Sequence, residues 1–310
     1  MQRWTKGWGS LMAVLAALMA SPAGAQELAP DRPREVPSSS TPFADTMETA
    51  RGMAMGLGAR ASATSTSGLA YNAAGLSIGR LYHIESGVFY EPTASRFGLS
   101  GSVIDSYSGP VNMGVNFRYL HGNGQDGHGG YDGRLAIGLP IGDSFAIGVT
   151  GRYVSFWREG QEGASPWAEG ITFDASIRVT PIPGLHIAAL GYNLLPMASW
   201  LTPMQVGGSA SYTIDNRFTI AVDGLADLGT WQHADGSIRP EALVGVGGEY
   251  FTGEVPIRAG YAYDSGRDAH FVTAGVGWMN QQLGIDIAWR QQVTAEYHTR
   301  LLATFRYFIH

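Results

Sequence analysis

The sequence predicts an all-β chain, a transmembrane antiparallel β-barrel of about fourteen strands with a segment of small residues ahead of the first strand. Three observations carry this. Runs of roughly ten residues that alternate apolar with polar recur along most of the chain. The connections between them alternate between tight turns and longer polar loops. No stretch after residue 25 is apolar enough to be a spanning helix, which leaves strands as the means of crossing a bilayer.

The elements follow in order. Arg3 and Lys6 precede the apolar run Leu11–Ala20, and Ser21-Pro-Ala-Gly-Ala25 supplies an A-x-A site. This is the pattern of a secretory signal peptide over residues 1–25, too short to span a membrane. Residues 26–46 (QELAPDRPREVPSSSTPFADT) are rich in Pro, Ser and charge and read as a flexible periplasmic lead. Thr46 to about Arg60 is mildly helical in pattern, and Ser/Thr-rich coil follows it. Residues 47–79 are assigned to an inner segment and 80–310 to the barrel.

The period changes to two from Leu81 onward. Leu283, Ile285, Ile287 and Trp289 alternate with Gly284, Asp286, Ala288 and Arg290. Ile171, Phe173, Ala175, Ile177 and Val179 alternate with Thr172, Asp174, Ser176 and Arg178. The runs so defined are 80–91, 95–106, 110–120, 131–140, 144–157, 169–180, 184–194, 203–214, 217–227, 240–252, 255–265, 268–279, 282–291 and 297–309. Tight links such as Pro140-Ile-Gly-Asp143 and Asp215-Asn216 alternate with longer ones such as 121–130, 158–168, 195–202 and 228–238. A soluble sandwich has no reason to keep that alternation in phase, whereas outer-membrane barrels are built this way. Polarity alone does not decide between them, because either fold has one apolar face.

One face of the strands carries Glu85, Arg118, Arg134, Arg152, Asp174, Arg178, Asp223, Glu249, Arg258, Asp264, Asp286, Arg290, Arg300 and Arg306. A barrel this wide has a polar interior, so these are assigned to a lumen charge network in which opposite signs brace the wall and the inner segment. Phe89, Tyr90, Tyr119, Tyr153, Trp157, Tyr192, Trp278 and Tyr307 fall near strand ends, as interfacial aromatic girdles do.

Composition excludes several classes. There is no cysteine, hence no disulfide, thiolate metal site or lipid attached at the cleavage point. A net charge of −6 argues against a nucleic-acid partner. Gly is 43 of 310 residues, about twice average usage. No nucleophile motif accompanies the carboxylates, and Gly208-Ser-Ala-Ser lacks the G-x-S-x-G elbow, so no enzyme is expected. The histidines are scattered, and neither metal nor cofactor is called for. Gly56-Leu-Gly58-Ala-Arg-Ala61 imitates a dinucleotide fingerprint, but no strand precedes it and no βαβ unit holds it.

The same stretch has another match. Glu48-Thr-Ala-Arg51-Gly-Met-Ala-Met55-Gly56-Leu-Gly58-Ala59, followed by Gly68-Leu-Ala-Tyr71-Asn72-Ala-Ala-Gly75-Leu76-Ser77, resembles the N-terminal segment of the FadL-like outer-membrane superfamily. That superfamily includes long-chain fatty-acid transporters and PorV-type secretion proteins. Its members carry a Tyr-x-Asn-Pro-Ala-Gly-Leu-like box, and Ala73 stands here in place of the proline. The likeness covers about thirty residues by motif and the remainder by architecture only. The aromatic final strand, Phe305-Arg-Tyr-Phe-Ile309, resembles the signal read by the outer-membrane assembly machinery, though His310 ends it where that signal has Phe.

The resemblance implies a fourteen-stranded barrel in the outer membrane of a Gram-negative bacterium, with the inner segment as a plug. The lesser alternative for residues 47–79 is a plain periplasmic linker. The resemblance also implies passage of a hydrophobic, fatty-acid-like small molecule past the plug. The ligand-binding candidates are Met53, Met55, Leu57, Leu69 and Tyr71, the box Asn72–Leu76, and the apolar loop cluster Pro196, Met197, Trp200, Leu201 and Met204. That loop cluster serves equally as a lipid-interface anchor. The PorV-type branch implies the alternative, a structural or secretion-associated barrel that binds a secretion or envelope protein partner without transporting. A continuous apolar pocket in the lumen separates the two.

Overall fold

The computed structural model describes residues 48–122, 128–158, 168–195, 197, 202–228, 239–294 and 297–309. Fourteen antiparallel strands close into a barrel, each paired with its chain neighbours and β1 with β14. The strands are β1 (Tyr82–Glu91), β2 (Arg96–Asp105), β3 (Asn112–Gly122), β4 (His128–Ile141), β5 (Phe145–Arg158), β6 (Ala168–Ile182) and β7 (Leu185–Tyr192). The second half comprises β8 (Gln205–Ile214), β9 (Phe218–Asp227), β10 (Glu241–Phe251), β11 (Pro256–Asp264), β12 (Ala269–Met279), β13 (Leu283–Gln292) and β14 (Thr299–Phe308). Each bound lies within three residues of its sequence-derived run.

Closure gives every strand two neighbours, so no sheet edge is left open. The faces are inverted relative to a soluble protein. In β13, Ile285, Ile287 and Trp289 are exposed while Asp286, Ala288 and Arg290 are buried. The same holds around the wall, where Val88, Leu99, Phe117, Val149, Ile177, Val222, Val246 and Ile257 all point outward into an apolar belt. Among the described residues no helix is long and apolar enough to cross a membrane. The strands carry the apolar outer face instead.

One barrel end has the tight turns. Asp215 and Asn216 both take positive φ, 52° and 54°, the geometry of a two-residue hairpin whose twist suits the strands. The other end has the longer connections, and the two are called here the turn end and the loop end.

The girdle assignment needs correction. Tyr90, Tyr153, Trp278 and Tyr307 point outward, but Phe89 and Tyr192 are buried on the inner face. Phe89 shares parity with Glu85 and Glu91, so the pleat turns it inward. Nearness to a strand end says nothing about which face a residue takes.

Ahead of β1, residues 48–79 lie against the inner face of the wall. They form helix α1 (Ala50–Ala54), a 3-10 turn (Arg60–Ser62), helix α2 (Ser65–Tyr71) and a second 3-10 turn (Ala73–Ser77). The helical pattern expected up to Arg60 is shortened to a little over one turn, and the expected Ser/Thr coil is instead α2. Both differences have one cause. Helices this short are marginal in isolation, and the wall holds them by hydrogen bonds along their length. The signal peptide and the lead at 26–46 lie outside the described residues.

Close approach to the wall is a steric prediction. A Cβ at Gly148 on the inner face of β5 would stand 2.1 Å from the Ala74 nitrogen, whereas one at Gly151 on the outer face would meet nothing within 4 Å. Gly148→Ala is expected to lose about 1–3 kcal/mol by overpacking, and Gly151→Ala to stay within about 0.5 kcal/mol of the parent. Urea titration of the detergent-solubilised barrel, followed by tryptophan fluorescence, checks the pair.

Candidate functional site

The lumen is the candidate site, and the inner segment occupies it. Thr49 caps α1, its side chain accepting from the Gly52 N–H at 3.1 Å. Gly56 ends the helix with φ 78° and lies so near the wall that a Cβ would strike the carbonyls of Tyr261 and Val246. The glycines that imitated a nucleotide fingerprint therefore serve backbone-to-wall contact. The Thr273 hydroxyl donates to the Ala54 carbonyl at 2.9 Å and accepts from the Gly56 N–H at 3.2 Å. Asp223 accepts from the N–H groups of Ala59 and Arg60 at 3.1 and 2.9 Å, and Ser209 from that of Ala61 at 2.9 Å. Wall side chains thus take up backbone donors that such short helices leave open.

The Tyr71–Leu76 box ties the segment to itself. The Asn72 amide donates to the Arg60 carbonyl at 2.8 Å, and the Tyr71 hydroxyl accepts from the Thr49 N–H at 2.9 Å. The Arg60 guanidinium lies 5.2 Å from the Tyr71 ring centroid and 5.7 Å from that of Tyr192, with its Nε donating to the Tyr192 hydroxyl at 3.0 Å. That hydroxyl donates in turn to the Tyr71 carbonyl at 2.5 Å. Burial, with the Glu48 charge nearby, pushes the Tyr71 phenol up to about 12, so it stays a neutral hydrogen-bonding group.

Most charges of the described residues fall in three groups, with Arg60–Asp223 at 4.0 Å and Arg267–Asp264 at 3.3 Å as separate pairs. At the loop end Glu48 pairs with Arg290 and Arg300, and Arg300 also meets Glu91, which pairs with Arg96 at 2.5 Å. Within the wall of β3–β6, Asp132 is shared by Arg118, Arg134 and Arg152 at 2.9, 2.8 and 3.2 Å. Asp174 sits 4.0 Å from Arg152 and accepts from the Asn193 N–H. Toward the turn end Arg51 meets Glu249 at 3.1 Å, and Arg258 bridges Glu249 to Asp286. Arg306 then joins Asp286 at 3.5 Å to Glu85 at 2.6 Å. Arg178 instead uses hydroxyls, donating to Ser77 at 2.9 Å and Thr180 at 2.7 Å. Glu48 and Arg51 come from the inner segment, so both end groups tie it to the wall.

Sequence reading missed Asp132, Glu91 and Arg96. Each shares the parity of charges that were assigned to the lumen, but each sits at a strand margin where alternation gives way to loop composition. Tyr192 was seen and placed on the wrong face.

The apolar candidates divide. Met55 packs with Ala59 and Ala221, and Leu69 and Leu76 with Ile104 and Ala136, all fully buried as anchors to the wall. Met53 and Leu57 join two other clusters. These contain Phe89, Leu120, Phe156, Leu190, Leu225, Leu243 and Phe271, and each of the seven stands two residues from the loop end of its strand. They form an inward apolar band around the loop-end mouth, and Met197 packs against it. Phe89 lies over Gly98 on the neighbouring strand, where a Cβ would come within 2.1 Å of its ring. Met204 is half-buried beside the wall, and its carbonyl accepts from the Leu228 N–H. Pro196, Trp200 and Leu201 lie outside the described residues.

A small cavity of about 10 Å³, room for one water, separates the box from β5–β7 and is lined by Asn72, Thr150, Asp174, Ser176 and Tyr192. Among the described residues no cluster of His, Asp and Glu could hold a metal. The loop end of the lumen thus combines buried apolar side chains with the Glu48 ion-pair group, and the interior toward the turn end is charged and hydrogen-bonded.

Two substitutions test this wiring. Asp132→Asn leaves three buried arginines sharing a neutral amide, with an expected cost of about 3–5 kcal/mol in urea unfolding. Glu48 gives the pH signature. Burial opposes its ionisation, but Arg290 and Arg300 outweigh that and hold its carboxyl below the usual 4.5. Its contribution is complete above that value and is lost as pH falls through the lower folded-state value. Glu48→Gln is therefore expected to lower the urea midpoint at pH 7, and the gap from the parent to narrow by pH 3.

No protein-family model matches the chain, and no curated protein does either. Solved structures do. The chain is similar to the toluene transporter TbuX of Ralstonia pickettii, with 13% identity and a TM-score of 0.61 over 86% of this chain and 99% of that one. The P. putida toluene transporter TodX matches at 12% identity and TM-score 0.61, over 86% and 99%. A Pseudomonas aeruginosa FadL homologue matches at 12% identity and TM-score 0.63, over 86% and 100%. At such identities the shared property is the fold, a closed barrel matched over nearly the whole of each of these proteins.

Proposed function

We propose that this protein is an outer-membrane barrel of a Gram-negative bacterium that takes up hydrophobic small molecules from the loop side, with residues 48–79 as a plug. One observation carries the reading. An outer-membrane wall needs polar side chains inside, yet seven large apolar residues ring the inner face at the loop end, with Met53 and Leu57 adjoining them. The seven are only 0–7% exposed, so the band is covered in this state, and a hydrophobic ligand that opened the loop-end mouth would find apolar side chains to replace that cover. The likeness in fold to two toluene transporters and a FadL homologue supports the same reading. In this reading the ligand is released from the band past the plug, whose ion pairs to the wall set how readily it yields. A fatty-acid-like molecule and a neutral hydrocarbon both suit the band.

A second reading has its own observation. The plug is bonded to the wall at both ends and its backbone is held by Asp223, Ser209 and Thr273, as suits a barrel that holds a partner and passes nothing.

The test is extraction and mass spectrometry of small molecules from protein purified out of outer membranes. A hydrophobe near one per barrel is expected, falling about tenfold in Leu225→Gln, since an unpaired buried amide costs about 1–3 kcal/mol. No enriched hydrophobe, with a stoichiometric co-purifying protein, overturns transport in favour of the partner-binding reading.

A further inference from the structure

Arg178 breaks the pairing rule of the lumen. Among the described residues, every other arginine enclosed by the wall has a carboxylate within 4.0 Å. Arg178 lies on the inner face of β6, four residues from the turn end, and is 5% exposed. Its Nη1 donates to the Thr180 hydroxyl at 2.7 Å and its Nη2 to the Ser77 hydroxyl at 2.9 Å, both neutral acceptors. Its Nε is buried and has no partner. Asp174 stands four residues away along β6 and Asp223 three strands across, about 13–14 Å in each case. Both are engaged there, Asp174 by the Asn193 N–H and Asp223 by the N–H groups of Ala59 and Arg60.

The next two strands add donors in the same condition. Thr180, accepting from Arg178, donates in turn to Nδ1 of His186 at 2.9 Å. Arg178 Nη1 also faces that nitrogen, at 3.3 Å. Nδ1 is therefore the accepting nitrogen, and Nε2 carries the proton as a donor. Ser211 stands opposite His186 in the β7–β8 register and is 3% exposed, and its buried hydroxyl has no partner. Arg178, His186 and Ser211 thus bring a cation and two donors together from three consecutive strands, with no carboxylate among them. Thr180, His186 and Ser77 are half-buried where Arg178 and Ser211 are buried, so the group opens toward the turn end.

We propose that Arg178, His186 and Ser211 form a binding site for a small oxyanion that enters from the turn-end mouth. An enclosed guanidinium without a counter-charge is unfavourable, and an anion brought to it supplies both charge and acceptors. Nε and Nη2 form the edge of the guanidinium that matches two oxygens of a carboxylate or a phosphate. Ser211 and His186 Nε2 supply further donors to the same group. Nη2 is held at present by Ser77, so an incoming anion competes with the last turn of the inner segment for Arg178. The site requires no passage through the barrel and holds under either reading of its function.

The probes are inorganic phosphate and acetate. Each is titrated calorimetrically into the full-length barrel in detergent, at constant ionic strength set with sodium chloride. Saturable binding of one anion per barrel is expected. Arg178→Gln is expected to weaken it about tenfold or more and Ser211→Ala about threefold, since hydrogen bonds to a charged group are the stronger kind. Heat-shifted gel mobility reports folding, and Ser211→Ala carries the test if Arg178→Gln does not fold. Amide exchange at residues 73–80 is expected to change on adding the anion to the parent and not to Arg178→Gln, which locates the site beside Ser77. Tighter binding of acetate assigns the site to a carboxylate and tighter binding of phosphate to a phosphate, and either supports it. No saturable binding of either anion, or binding that both substitutions leave unchanged, overturns the proposal.

Discussion

A closed wall of fourteen strands encloses more space than the side chains of its inner face can fill. Most of the structure follows from that. The outer face is apolar, and the inner face takes the charges. An arginine or carboxylate enclosed in the lumen cannot be left without a partner, because the low-dielectric surroundings do not replace water. The inner segment meets both demands. It supplies volume, and it supplies Glu48 and Arg51 at the two levels where wall charges would otherwise face only one another.

The segment is made of small residues for the same reason. It must bring backbone to within hydrogen-bonding distance of Asp223, Ser209, Ser176 and Thr273, and a large side chain at Gly56 or Gly148 would hold it off. Its helices are too short to persist by propensity. Capping by Thr49 and donors taken up by the wall replace the cooperativity that length would have given. The fold of the segment is thus a property of the lumen more than of its own sequence.

The two halves of the lumen differ in what they can recognise. The turn-end half is a chain of ion pairs and hydroxyl contacts with no apolar band like that of the loop end. At the loop end the apolar ring and the Glu48 group share one level, since Glu91 and Arg96 end their strands and Arg300 stands one residue in, so hydrocarbon and paired charge meet at the mouth.

Alternation alone determined the strand count, the limits of each strand to within three residues, and the face taken by Glu85, Asp286 or Arg290, because a pleated strand leaves no other choice. The composition of residues 47–79 marked them as something other than strand. What alternation could not assign lay at strand margins, where Asp132, Glu91 and Arg96 merge into loops and where Phe89 and Tyr192 were taken for girdle residues. Which charges meet was decided only by the tertiary structure, because register and closure set neighbours across strands far apart in sequence. Closure also decided that Met55, Leu69 and Leu76 anchor while Met53 and Leu57 adjoin an apolar ring. That ring is spread one residue at a time over seven strands, and no window of sequence contains it.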